Sequence, residues 1–184
     1  MTVNEIPVNI RCIEYRQDRE DADYGSCLYA RFYFNLNKCE LSIISDVGNY
    51  SYCWGKADNE TFFELMSRIS GSYLIGKLCG SPKEFDYEVT KAHMYDYWGE
   101  EERDREILDR IFENLEYEDG VEKSADIFLM KFDENNYDDN PSHSYVCDVW
   151  EMCQYSYTPW QKRICKIFVD YIQPKIREIL KDEH

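Results

Sequence analysis

The residues with the chemistry to act on a substrate are few and scattered. Asp46 stands two positions before Gly48 in SDVGNYSYCWG, residues 45–55, and a carboxylate beside a glycine is one way to build a catalytic loop. The same pair is ordinary turn chemistry, because Asp bonds local backbone in tight turns and Gly tolerates a left-handed conformation. A hydrolytic triad needs a nucleophile, a base and an orienting group within reach. The chain offers three histidines: His93 among aromatic residues, His143 in a polar stretch, and His184 at the last position. It contains no GxSxG, HExxH, Walker-type glycine loop or GxGxxG. Asp133, Glu134, Asp138 and Asp139 lie close together, but not at the spacing of an EF-hand. The eight cysteines (12, 27, 39, 53, 79, 147, 153 and 165) form no CxxC pair and lie at zinc-ligand spacing from no histidine. They read as buried, reduced thiols acting as small hydrophobes. The expectation is therefore no catalytic set, no metal and no cofactor: a protein that is not an enzyme. A hydrolase or nuclease using Asp46, other carboxylates and a divalent metal is the alternative.

Charge is the stronger signal. Thirty-seven acids against 21 bases give a formal net charge of −16. Binding nucleic acid directly runs on Lys and Arg neutralising phosphates, so that class is excluded. From Asp96 to Glu122 there are twelve acids and three bases, a net of −9. Glu102, Glu106, Asp109, Glu113 and Glu116 recur at intervals of three or four, which sets them along one side of a helix; Glu100, Glu101 and Asp104 extend the run. Acids in a first turn favour the helix dipole, whereas those past the middle gain nothing from it and repel one another. Between Pro159 and Lys181 the balance reverses, with six bases against two acids. The acidic run has three readings: a solvated face, an intramolecular match to the basic C-terminal helix, or a carboxylate ladder imitating a phosphate backbone. Duplex DNA carries one charge per about 1.7 Å of axis, and a helix rises about 1.5 Å per residue. An acid at nearly every second position gives a density of the same order.

The elements that hold these residues follow from periodicity. Residues 6–15 read as a first strand. Residues 26–36 alternate Leu28, Ala30, Phe32, Phe34 and Leu36 against Cys27, Tyr29, Arg31, Tyr33 and Asn35, a second strand after a charged loop. CELSIIS and NYSYCWG supply the third and fourth. The connections are too short for parallel crossovers, so the strands form an antiparallel meander. Tyr50, Tyr52 and Trp54 share one sheet face; as a base-stacking platform they lack flanking cations, and core packing is the expected role.

Helices follow. Thr61 and Glu64 have capping-box spacing ahead of Phe62, Leu65, Met66 and Ile69, although Asp58 or Asn59 could cap instead. Residues 72–80, broken by glycines, read as a short helix or turn. A helix begins near residue 85, a second spans 100–117, residues 121–132 read as helix or strand with helix favoured, and 133–144 read as a polar loop. Thr158, Pro159 and Gln161 open the last helix as N-cap, N1 proline and capping-box partner, and Pro174 should kink or divide it. The fold expected is one α+β domain over residues 1–184, an N-terminal antiparallel meander of about four strands with C-terminal helices packed on it. No stretch of about 18 apolar residues is present, and the N-terminus lacks the pattern of a secretory signal, so a cytoplasmic protein is expected.

Three stretches together carry a family resemblance. ISDVGNYSYCWG, then FFELMSRISGSYLIGKLCG, and finally PWQKRICKIFVDYIQPKIREIL resemble a family of small proteins encoded by bacteriophages and prophages. Its Ser-Asp-x-Gly-x-Tyr, Tyr-x-Trp and Tyr-Leu-x-Gly-Lys-Leu segments fall on Ser45, Asp46, Gly48, Tyr50, Tyr52 and Trp54, and on Tyr73, Leu74, Gly76, Lys77 and Leu78. The match is close over residues 40–80 and looser elsewhere. The resemblance implies a phage origin and assigns no activity. By analogy, small acidic phage proteins without catalytic motifs include inhibitors of host defence, anti-CRISPR proteins among them, several of which mimic nucleic acid. The functional expectation is an anti-defence protein that binds a partner with a basic nucleic-acid groove, such as a CRISPR effector. Its binding face would comprise Glu100, Glu101, Glu102, Asp104, Glu106, Asp109, Glu113 and Glu116. No direct nucleic-acid or membrane contact is expected. A non-catalytic accessory or scaffold subunit is the second alternative.

Overall fold

Alternation in the second strand sets the buried side of a sheet. Ala30, Phe32 and Phe34 point one way and are fully buried with Leu41 and Ile43 of the next strand, while Tyr29, Arg31 and Tyr33 point the other way and stay half-exposed. The structure is a computed structural model that describes residues 3–5, 7–55, 60–136 and 148–183. Four strands, β1 (Ile10–Arg16), β2 (Tyr29–Asn35), β3 (Glu40–Ser45) and β4 (Gly48–Cys53), pair antiparallel in the order β1-β2-β3-β4. This is the expected meander, and with the helices that follow it makes the fold α+β. β1 begins at Ile10, later than its sequence suggests; upstream Pro7 has no N–H to give a ladder. On the solvent face, Glu14 accepts hydrogen bonds from Arg16 and Arg31, which hold its carboxyl down to about 2.

Helices cover the buried face. Thr61 caps α1 (Phe62–Arg68) in a complete capping box with Glu64, and Phe62 and Phe63 of this helix meet Phe34 edge-on. The glycine-broken segment is helical: α2 (Gly71–Cys79) is capped by Ser70 and ends at Gly80, whose φ of 72° needs a glycine.

The chain returns to this layer at its C-terminus with three segments: α7 (Pro159–Ile167), a π-helical turn over Phe168–Ile172, and α8 (Gln173–Asp182). The capping box of Thr158 and Gln161 with Pro159 is present. The π turn is the form taken by the interruption that Pro174 imposes. A proline ring clashes with the carbonyl four residues back, and widening the preceding turn accommodates it: Gln173 N–H bonds to Phe168 O, five residues earlier. Buried Gln173 then donates its side-chain amide to Met66 O at 2.9 Å and Ile69 O at 2.7 Å, closing the open end of α1.

Between these two stretches lies a second compact unit. Unit 1 comprises Met1–Ser81 and Thr158–His184, and unit 2 is Pro82–Tyr157. The one domain expected over residues 1–184 therefore spans two units, each with its own core. Unit 2 is closed by a two-stranded ribbon that the sequence reading did not anticipate. β5 (Glu84–Phe85) pairs with β6 (Tyr155–Ser156), Glu84 opposite Ser156, so the entry and exit of the unit lie side by side. Its helices are α3 (Tyr87–Trp98), α4 (Glu102–Leu115), α5 (Ala125–Asn135) and α6 (Val149–Met152). Their core is aromatic, with Phe112, Phe128 and Phe132 in mutual ring contact and Tyr87 against the first two. Asp133 to Asn135 belong to α5 rather than to the expected loop; residues 137–144 of that loop, with Asp138, Asp139 and His143, lie outside the described residues. Among the described residues, no helix is long and apolar enough to cross a membrane.

Candidate functional site

α4 is a strongly two-sided helix. Leu108, Ile111, Phe112 and Leu115 are buried, and spacings of three and four put them on one stripe. At 100° per residue, Glu102, Glu106, Asp109 and Glu113 fall within an arc of about 60° on the exposed side. They span eleven steps of the helix, about 16 Å of axis, or one carboxylate per about 5.5 Å, against one phosphate per about 3.4 Å along a single DNA strand. The stripe is thus sparser than a phosphate strand by less than a factor of two. Glu100, Glu101 and Glu116 are also exposed, while Asp104 is half-buried and lies toward the core side.

Some acids of this face have partners in their own unit. Glu116 lies 3.9 Å from Lys91, and Asp109 accepts a 2.7 Å hydrogen bond from the Tyr95 hydroxyl. Burial of the Tyr95 ring and its bond to Asp109 both push that phenol's pKa up. Beyond the helix, Glu116, Glu118, Asp119, Glu122 and Glu88 line an open polar concavity of about 400 Å³ together with Lys91 and Lys123. Two tyrosines flank the run, Tyr97 at 63% exposure and Tyr117 at 84%. Sequence reasoning had not singled them out; a tyrosine beside a charged face has the form of an interface anchor.

The larger feature missed in the sequence is the segregation of charge. Unit 2 has 22 acids and 7 bases, a net of −15, which leaves 15 acids and 14 bases, a net of −1, in unit 1. The window from Asp96 to Glu122 held only part of it. The basic C-terminal helix has partners within its own unit: Arg163 pairs with Asp23 at 2.7 Å and bonds to the Tyr15 hydroxyl, Lys166 pairs with Asp170, and Arg177 bonds to Ser67 O.

Asp46 sits at a different kind of site. It lies in the two-residue turn between Ser45 and Gly48, which pair across β3 and β4. Its carboxylate accepts from Leu28 N at 2.9 Å, Tyr29 N at 3.3 Å and the Cys27 thiol at 3.4 Å, fastening the turn to the start of β2. Burial acts to raise its pKa, but these donors outweigh it and leave the group below its ordinary value. Burial, reinforced by Asp46, pushes the Cys27 thiol up to about 12. Ser45 donates to Gly48 O and accepts from Val47 N, the Tyr50 hydroxyl donates to Val47 O, and a Cβ on Gly48 would sit 2.8 Å from that hydroxyl. The whole segment is a locked hairpin.

Tyr52 and Trp54 meet edge-on at 4.8 Å, Trp54 donates to the Tyr73 hydroxyl, and the Lys77 ammonium lies over the rings of Tyr52 and Tyr73. A cation therefore does adjoin the half-buried aromatic row, and it comes from α2. His93 is half-buried on α3, and His184 lies outside the described residues. No three His, Cys, Asp or Glu side chains come together as a metal cluster among the described residues. The described cysteines are free; Cys27, Cys153 and Cys165 are buried as expected, whereas Cys12 and Cys53 are exposed because their strands turn them outward.

An α+β protein with an inserted helical unit that holds nearly all the net charge is the class these features define. Residues 8–178 match the model of a phage family, Phage_phiTE_072, and the chain belongs to that family. No curated protein and no solved structure matches the chain.

Proposed function

We propose that this phage-family protein is a non-catalytic inhibitor of host defence that occupies the basic nucleic-acid groove of its target with the acidic face of unit 2. A CRISPR effector is the first candidate for that target. The observation that carries the reading is the charge segregation: −15 on one unit and −1 on the other. Solubility alone needs a net charge, not its confinement to one unit. A solvent-facing carboxylate stripe can pair with lysines and arginines that otherwise hold phosphates, and it steers association at long range. The exposed Tyr97 and Tyr117 would add apolar anchorage beside the charge.

The test is affinity capture of the tagged full chain from its bacterial host, with bound proteins identified by mass spectrometry. The reading expects a nucleic-acid enzyme that is released by the DNA or RNA it handles. Capture that this nucleic acid leaves intact, or a captured protein without a nucleic-acid site, would contradict it.

A further inference from the structure

Among the described residues, no strand pairs with the outer edge of β1. Asn9 O accepts from Leu36 N at 2.9 Å and Gln17 N donates to Leu28 O at 3.0 Å. Odd-numbered residues therefore exchange bonds with β2, and antiparallel alternation turns the N–H and C=O of Ile10, Cys12, Glu14 and Arg16 to the open side. Among the described residues no hydrogen bond reaches them there. Natural sheets blunt such edges with charged side chains, lysine above all, with proline or with a bulge; IRCIEYR has no lysine, proline or bulge, and its charges are engaged within the chain, Glu14 by Arg16 and Arg31 and Arg11 by Glu183. Beside the edge runs an open groove of about 670 Å³, lined by β1 from Cys12 to Arg16, by Tyr171, Ile172 and Ile179 of the C-terminal helical segments, and by the charged Asp18, Asp21 and Lys175.

We propose that this edge pairs antiparallel with the same edge of a second copy, about a two-fold axis through Ile13, giving one continuous eight-stranded sheet. The strand is complementary to itself. In the one register that pairs all seven residues, Ile13 faces Ile13, Cys12 faces Glu14, Arg11 faces Tyr15 and Ile10 faces Arg16, so no like charges meet. Registers shifted by an odd count put the free backbone groups out of phase. A two-residue shift one way sets Glu14 on Glu14; the other sets Cys12 on Cys12; each pairs only five residues. A two-fold axis normal to the sheet keeps each copy's buried face on the same side. The two grooves then adjoin at the seam, and each is lined by a Tyr171 that is 52% exposed in the single chain. The pairing is independent of the acidic-face reading, since it uses unit 1 alone.

The experiment is light scattering on the full chain, with two variants. The wild type is expected at twice the 22.1 kDa chain mass. E14P removes an outward N–H and leaves the β2 ladder whole, so a monomer with unchanged circular dichroism is expected. E14C, oxidised, is expected to form a disulfide with Cys12 of the second copy, mapped by mass spectrometry. This second variant does not depend on E14P folding. A wild-type monomer at every concentration overturns the proposal, as does a dimer in which E14C yields no such link. A monomer whose β1 amides gain exchange protection only when a foreign strand is added assigns the edge to another protein and overturns it as well.

Discussion

Replacing Glu102, Glu106 and Glu113 together by glutamine separates the acidic stripe's part in binding from its part in folding. Within α4 these three residues take part in four like-charge contacts at i,i+3 or i,i+4 (102–106, 106–109, 109–113, 113–116) and four opposite-charge ones (102–105, 103–106, 106–110, 110–113). Each is worth about 0.2–0.5 kcal/mol, so the two sets cancel. What remains is Glu102 in the first turn, whose interaction with the helix dipole is worth about 0.3–1 kcal/mol. For a chain of this size that is a fall in Tm of about 2–4 °C at most. Asp109 is left in place because it holds the Tyr95 hydroxyl. Binding should behave differently. Three close charge pairs at about 1.5 kcal/mol each, the low end for such pairs, amount to about 4.5 kcal/mol, or about a thousandfold in Kd. The assay is calorimetric titration of the captured partner beside a thermal melt of the variant. Affinity within threefold of wild type would refute the reasoning, and so would a collapse of Tm, since that would make the stripe part of the fold.

Other consequences concern unit 1. Gln173→Leu leaves Met66 O and Ile69 O buried without their donor, and should cost about 2–4 kcal/mol in urea unfolding, on the scale of unmet buried groups. A loss under about 0.5 kcal/mol would mean that water or a shifted helix replaces the amide. Glu14 has a folded pKa depressed to about 2 from 4.5. Its contribution is therefore whole above pH 4.5 and lost as pH falls from there through 2, and E14Q should flatten the stability profile in that window alone. Cys12 and Cys53 are exposed, whereas burial pushes the Cys27 and Cys165 thiols up to about 12. A thiol reagent at pH 8 should label the first two in the native protein and reach Cys27 and Cys165 only on unfolding, as peptide mapping will show.

How far the sequence could be read depended on the reach of each interaction. β2 and the two capping boxes are local patterns, and each was legible residue by residue. Residues 72–80 were ambiguous because Gly76 weakens a helix that is in fact fixed by its Ser70 cap and by buried Leu74 and Ile75. Pro174 announced an interruption, but its π-helical form depends on neighbours that no local rule supplies. Asp46 looked like a turn residue and is one, yet the donors that hold it lie at residues 27–29, on another strand. The two-unit organisation was hidden because its junctions are short and its closing ribbon has only two residues per strand. That is also why the acidity was assigned to a single helix instead of to the whole of Pro82–Tyr157.

The central claim, that the acidic face of unit 2 takes the place of nucleic acid, is tested most directly by competition on the captured partner. Increasing amounts of this protein should displace labelled target DNA or RNA from the partner stoichiometrically, with a Kd that weakens steeply as salt rises. A ternary complex in which nucleic acid and protein bind together, or an affinity indifferent to salt, would contradict it.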